Sequence, residues 1–418
     1  MLLRGGLGEH KPRRHPQHLL LWCLTLATLA IVCWAQPAHA YTWMIRHGYA
    51  ACSSCHADPS GGELLSSYGR LEGDVLLRMQ YGEPAEGDEE PDTGFLWGAV
   101  DTPDNLLLSG SFRNLNIYEP GADDPLTIIP IMMGDLYGQV RADFVRAAAS
   151  AGISKVKVGS PHARAAQVTH GQGEQYNMVS RTHWLGFDLG ADDNYLLRLG
   201  RMNLPFGVRV PEHTLWAREA TRTDRESDQQ HGAALAYTGE TFRGEIMGIA
   251  GNFQVSPDKL RERGYSLFFE YLPSPELAIG ASSLATFADE DRITLREDVW
   301  RQAHGLIGRA KLFDSLAVYG EADLLLTTDT TTGYTGFVQF DYELVQGLHF
   351  MVTGEVLDQG LAGEETDTNQ QTEGRGKPRF GAWGSIDWFF YRQFELRLDA
   401  IKRQSAGTQL LAQLHFYL

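Results

Sequence analysis

Cysteine is scarce in this chain, and the positions of the few cysteines limit their use. Only four occur among 418 residues, and Cys23 and Cys33 lie in an N-terminal segment that we expect to be removed. The remaining pair, Cys52 and Cys55, is separated by two residues. A disulfide between them would close only a small loop, so a disulfide-stapled fold is excluded and the pair must serve a local purpose.

A second long apolar run is also missing. The one present extends from Leu19 to Trp34, follows a basic stretch and precedes the small-x-small sequence Ala38-His39-Ala40. That order is typical of a secretory signal peptide, whereas sixteen apolar residues are short for a membrane-spanning helix. We therefore interpret residues 1–40 as a signal peptide.

Basic residues are outnumbered by acidic ones, 36 to 53, which gives a net charge of -17. Removal of residues 1–40 takes away four basic residues and one acidic residue, and the balance becomes -20. Proteins that bind nucleic acid need a basic surface, so this class is excluded.

The two remaining cysteines belong to the sequence Cys52-Ser-Ser-Cys55-His56, which has the attachment spacing of c-type haem. In that arrangement the two thiols add to the porphyrin vinyl groups and His56 becomes the proximal iron ligand. A thioredoxin-like redox pair would need a βαβ setting, and a zinc cage would need a second cysteine pair, and neither is present in the sequence. The sequence predicts one covalently bound haem c.

The haem segment, residues 41–80, is too short to enclose a haem in its own core. An acidic linker rich in Pro and Gly, residues 81–104, separates it from the rest of the chain. The remaining residues, 105–418, must therefore cover the haem. Within the segment, Arg70 follows a predicted turn and is a candidate partner for a haem propionate, although a solvated arginine is an equal alternative.

From residue 105 onwards, apolar and polar residues alternate with period two over segments of about ten residues, as in transmembrane β-barrels. A soluble β-sandwich would show the same alternation, but short and long connections alternate here as they do in bacterial outer-membrane barrels. We predict an all-β, antiparallel transmembrane barrel of about 16 strands in outer-membrane lipid, with the haem segment as its plug. The candidate strands are 105–118, 134–145, 149–159, 179–190, 194–202, 230–238, 241–252, 263–272, 276–287, 302–313, 315–327, 333–344, 347–358, 378–391, 393–403 and 407–418.

The second axial ligand of the iron is expected to be a histidine or a methionine. His47 is the first candidate, since the adjacent Gly48 would let the chain fold back on the haem. By strand parity, His349 and His415 face the lumen and are alternatives. The candidate thioethers are Met44, Met79 and Met351.

A haem motif joined to a porin-like barrel resembles the fused outer-membrane cytochrome–porins of iron-oxidising bacteria. The resemblance covers residues 41–418 and includes Tyr68-Gly69-Arg70 after the motif. It implies electron transfer between an extracellular donor or acceptor and a periplasmic c-type cytochrome or similar carrier, with ferrous iron as the family's donor and therefore Fe(II) oxidase activity. A shorter likeness, Leu197 to Gly207, is similar to a strand end of phosphate-selective porins.

Two other functions remain open from the sequence. One is a diffusion porin with a haem-bearing plug, and the other is a haem-based sensor or peroxidase. Two predicted outer loops, 288–301 and 359–377, are rich in Asp and Glu. They indicate either a rim that gathers cations or an ordinary solvated rim tied to divalent ions.

Overall fold

The structure is a computed structural model, and the residues that it describes belong to one compact unit, Pro37–Leu418. The predicted signal peptide and residues 81–93 of the predicted linker lie outside the described residues. The described residues are 42–49, 51–79, 94–96, 98–155, 168–169, 176–190, 192–212, 214–225, 227–253, 257–360, 376–391, 393–404 and 406–418.

The strands form one closed antiparallel barrel, because β1 pairs with both β2 and β17. Seventeen segments occupy sixteen positions, since β4 and β5 both pair with β3 and are two halves of one strand. The predicted barrel of about 16 strands is confirmed. Its segments are β1 (Leu106–Tyr118), β2 (Leu126–Ala142), β3 (Val145–Lys155), β4 (Tyr176–Val179), β5 (His183–Leu189), β6 (Tyr195–Met202), β7 (Gln230–Thr238), β8 (Phe242–Gly251), β9 (Arg263–Ser274), β10 (Leu277–Glu290), β11 (Glu297–Phe313), β12 (Leu316–Thr327), β13 (Gly333–Val345), β14 (Leu348–Asp358), β15 (Arg379–Tyr391), β16 (Phe394–Arg403) and β17 (Thr408–Tyr417).

The two faces of the wall have opposite character. On β14, His349 and Met351 are buried, whereas Phe350 and Val352 are 40% and 62% exposed on the outer face. Several lumen-facing charges are paired across strands, such as Arg309 with Glu270 at 2.8 Å, which limits the free-energy penalty of burying them. The wall thus presents an apolar belt to lipid and a polar lumen, as the parity predicts.

Several strand boundaries differ from the sequence prediction; among them, the predicted strand 179–190 is divided into β4 and β5. β2 begins at Leu126 rather than 134, and the chain turns at Asp143, whose φ of 54° allows a tight hairpin, so β3 begins at Val145 rather than 149. The predicted loop 288–301 is mostly strand. Backbone pairing continues through charged residues there. These strand ends extend past the apolar belt, so their sequence does not need to alternate between apolar and polar residues.

The predicted outer loop 203–229 is the largest correction, because it folds into the lumen. Phe206 and Leu215 are fully buried. The backbone N–H of Val208 donates to Glu321 on β12 at 2.6 Å, and that of Trp216 donates to Glu355 on β14 at 2.9 Å. Apolar side chains and wall carboxylates together hold this inner segment, which contains the short helix α2 (Trp216–Thr221).

Residues 42–79 contact lumen-facing side chains on several sides of the barrel. Arg46 lies 3.3 Å from Asp341 on β13, and Asp58 lies 2.6 Å from Arg198 on β6. The segment contains two 3-10 helices, Thr42–His47 and Cys52–Ser54, and the helix α1 (Ser67–Leu76), whose N-terminus is capped by a hydrogen bond from the Gly69 N–H to the Ser66 hydroxyl. No helix in the described part of the chain is long and apolar enough to cross a membrane.

Candidate functional site

The sequence Cys52-Ser-Ser-Cys55-His56 forms a compact turn. Cys52–Ser54 is a single 3-10 turn, and the His56 N–H donates to the Cys52 carbonyl oxygen at 3.0 Å. Both cysteines are buried and neither is in a disulfide. The turn therefore brings the two thiols and the imidazole together.

Two glycines allow other backbone to approach this turn closely. A Cβ atom on Gly69 would lie 2.2 Å from the Cys55 carbonyl oxygen, so helix α1 can pack there only with glycine at this position. A Cβ on Gly61, whose φ is +80°, would lie 3.0 Å from the Cys52 Cβ. Neither glycine was singled out in the sequence for this role.

Cys52, Cys55 and His56 line one large cavity in the lumen. The volume that the centres of water-sized spheres can occupy within it is about 210 Å³. Strands β1, β15, β16 and β17 form one side, and the inner segment 203–229 forms another. A cavity bounded by wall and inner segment is the enclosure that the forty-residue haem segment lacks.

Two arginines of the inner segment, Arg209 and Arg225, line the same cavity. Burial, and to a smaller extent the nearby charge of Arg225, lowers the pKa of Arg209 to about 10. Like charges held together in a buried place favour an anionic ligand, and a haem carries two propionates. Neither arginine was predicted as a site residue, because the connection 203–229 was interpreted as an outer loop, although its largely apolar stretch from Leu204 to Val210 indicated burial.

The imidazole of His56 is suited to ligate iron. Burial, with a smaller contribution from Arg225, lowers the pKa of His56 to about 4, so the ring is neutral at physiological pH. A c-type haem fits the residues present: two thiols in one turn, a neutral imidazole, and guanidinium groups on the same cavity.

Arg70 also lines this cavity. Its guanidinium donates to the backbone carbonyl of Leu108 at the start of β1. That contact joins the Arg70 side chain of α1 to the barrel wall, next to the cavity. Its predicted role as a propionate partner stays a prediction, and this position is compatible with it.

The cavity includes only one of the three histidines predicted as distal ligands. His415 lines it, with Nδ1 3.0 Å from Glu395 and Nε2 2.8 Å from the Ser111 hydroxyl. His47 and His349 are not among the lining residues. The preference for His47 is therefore not supported by its position. The thioethers of Met44 and Met351 also line the cavity.

His47 and His349 have contacts of their own. The His47 Nε2 lies 3.2 Å from the Arg46 Nε, and the His349 ring packs 4.2 Å from the Trp43 ring between centroids. His349 Nδ1 also lies 3.0 Å from Asp341. Both rings thus belong to the packing between the haem segment and β13–β14.

The predicted acidic outer loops are only partly described. In 288–301, Asp291 lies 2.7 Å from Arg222, and Asp289 pairs with Arg263. Residues 361–375 of the second loop lie outside the described residues. Asp289, Glu290 and Asp291 are thus each paired with a basic residue of the same chain, which weakens the hypothesis of a cation-gathering rim.

The overall fold is similar to that of bacterial porins. OmpT, an outer membrane protein of Vibrio cholerae, matches with a TM-score of 0.53 and 10% identity over 77% of this chain and 100% of that one. OmpF of Salmonella typhi, in a complex with daunomycin, matches with a TM-score of 0.52 and 10% identity over 75% of this chain and 97% of that one. The sequence matches no family model and no curated protein. A closed barrel of this architecture with an apolar outer belt is a bacterial outer-membrane protein.

Proposed function

We propose that this protein is an outer-membrane electron carrier, in which one c-type haem is held within a porin-like barrel by a plugging N-terminal segment. The observation that carries the proposal is the convergence of Cys52, Cys55 and His56 on one lumen cavity that Arg209 and Arg225 also line. When bound, a haem c supplies one-electron exchange at its iron.

Each residue of the site would have a distinct role in holding the haem. The two cysteines would fix the haem covalently, and His56 would hold the iron from the proximal side. Arg209 and Arg225 would balance the propionate charges. The inner segment 203–229 and the barrel wall would exclude bulk water. The low dielectric constant that results would influence the midpoint potential of the haem.

The porin-like fold favours a second candidate function, a diffusion porin that carries the haem only on its plug. In that case solutes would pass between the plug and the wall. Segments 42–79 and 203–229 both occupy the lumen, which opposes free diffusion. The two candidates therefore differ in conductance as well as in electron transfer.

Proteoliposomes test both candidates at once. With ferrous iron outside and oxidised cytochrome c inside, we expect reduction of the enclosed cytochrome only when the haem is present, and low ion conductance in planar bilayers. The variant Cys52→Ala/Cys55→Ala is the matched control. Porin-like conductance without reduction of the enclosed cytochrome would decide for the diffusion porin.

Replacement of Arg209 and Arg225 by Gln is expected to lower the haem midpoint potential. A nearby positive charge stabilises the reduced haem, because reduction removes one positive charge from the iron. Loss of the two guanidinium charges should therefore lower the midpoint potential by tens of millivolts, the order of one charge–charge interaction at an effective dielectric constant of about 20. Spectroelectrochemistry of the purified protein measures this shift. Arg296→Gln, at the outer end of the barrel, is the control and should leave the potential unchanged. An equal potential in the double variant would exclude both arginines as haem neighbours.

A further inference from the structure

Helix α1 has two faces with different surroundings. Gly69, Arg70 and Gly73 line the haem cavity. On another face, Tyr68, Leu71 and Val75 are exposed by 41%, 37% and 43%. These three residues, which we name the α1 stripe, are three and four positions apart, so their side chains form one row along the helix.

The α1 stripe lies close to the haem-attachment turn. The Gly69 backbone packs on Cys55, where a Cβ would approach the carbonyl oxygen to 2.2 Å. Only the thickness of the α1 backbone therefore separates the stripe from the attachment turn. An exposed apolar row at such a position indicates an interaction surface.

The stripe is at the end of the barrel that carries the short turns. Gln346, in the connection between β13 and β14, donates to the carbonyl oxygens of Val75 at 2.6 Å and Arg78 at 2.9 Å. Short turns mark the periplasmic end of bacterial outer-membrane barrels. A partner that contacts the stripe would therefore be a periplasmic one.

The described connections at this end are acidic. Two basic residues there are each held in ion pairs, Arg141 with Asp188 and Asp193, and Lys311 with Glu276 and Asp314. The carboxylates in these turns outnumber them, and they are Asp143, Asp192, Asp193, Glu240, Glu276 and Asp314. An apolar row at an acidic end of the barrel is complementary to a partner that presents basic residues beside an apolar contact surface.

We propose that the α1 stripe is the docking surface for a small periplasmic haem protein whose exposed haem edge is surrounded by basic residues. This inference rests on the proposed function. With a haem bound on each side, one electron would pass from a ferrous donor to a ferric acceptor across the contact, and no atom would be transferred. The short path through α1 is what makes this face suitable for the exchange.

Stopped-flow exchange between the reduced, detergent-solubilised protein and a basic oxidised cytochrome c tests the docking surface. The variant Leu71→Gln/Val75→Gln removes apolar area without adding charge. We expect its second-order rate constant to fall about tenfold, with an unchanged haem spectrum and midpoint potential. Leu295→Gln, an equally conservative change of an exposed leucine at the outer end, is the control. The wild-type rate should also fall as ionic strength rises.

The outcomes separate this inference from the function on which it rests. Wild-type exchange that the double variant leaves unchanged would overturn the docking surface alone. No exchange in the wild type, despite a bound and reducible haem, would overturn both the docking surface and the proposed periplasmic partner.

Discussion

Replacement of both Cys52 and Cys55 by Ala is expected to abolish haem staining of the protein in a denaturing gel. Each thiol would form one thioether bond to the porphyrin, and without either bond the haem dissociates when the chain unfolds. The expected effect is complete loss, measured by peroxidase-type staining and by mass spectrometry of the intact chain. Staining that persists in the double variant would refute covalent attachment.

A matched control separates the thiols from the fold of the turn. The variant Ser53→Ala/Ser54→Ala keeps both thiols and their spacing, and it should retain full staining. Heat-modifiable migration in the gel, a property of folded barrels, should be the same for all three proteins. Loss of staining with normal barrel folding would then be due to the thiols.

Replacement of His415 by Ala is expected to convert a low-spin ferric haem spectrum to a high-spin one, with the haem still attached. Of the three histidines predicted as distal ligands, only His415 lines the cavity that contains the attachment turn. Removal of a sixth ligand leaves the iron five-coordinate or bound to water. Optical and electron paramagnetic resonance spectra measure the change.

His47→Ala is the comparison, and we expect it to remain low-spin. Imidazole added to the His415→Ala protein should restore the low-spin spectrum if the site is intact. A low-spin spectrum in His415→Ala would exclude this histidine, and the thioethers of Met44 and Met351 would be the next ligands to test. The choice matters functionally, because a methionine ligand raises the potential.

The barrel could be predicted from the sequence because its physical cause is local. Alternation with period two follows from one face meeting lipid and the other the lumen, and it is legible in single strands such as β14 and β16. The predicted strand boundaries were less accurate where the contrast between a lipid-facing and a lumen-facing side does not mark the end of a strand. Asp143 turns the chain inside a segment whose alternation continues to Phe144, and the paired strands at 288–301 continue past the apolar belt, where no alternation is required.

The cavity could not be predicted, because it depends on contacts between distant parts of the chain. Segment 203–229 has the length and charge of an outer loop. Its burial depends on wall carboxylates such as Glu321 and Glu355, more than a hundred residues away. The position of His47 was uncertain for the same reason, since sequence proximity to Cys55 does not determine on which side of the haem segment a ring lies.

The burial of both thiols inside a closed wall has a consequence for biogenesis. A haem is much wider than the gaps between hydrogen-bonded strands, and the attachment chemistry needs open access to Cys52 and Cys55. If the chain carries the proposed haem, it would therefore have to be joined while residues 42–79 are still outside the lumen, before β1 and β17 close the barrel. Haem attachment in the periplasm would then precede insertion of the barrel into the outer membrane. The machinery that inserts the barrel would have to accept a chain with a covalently attached haem.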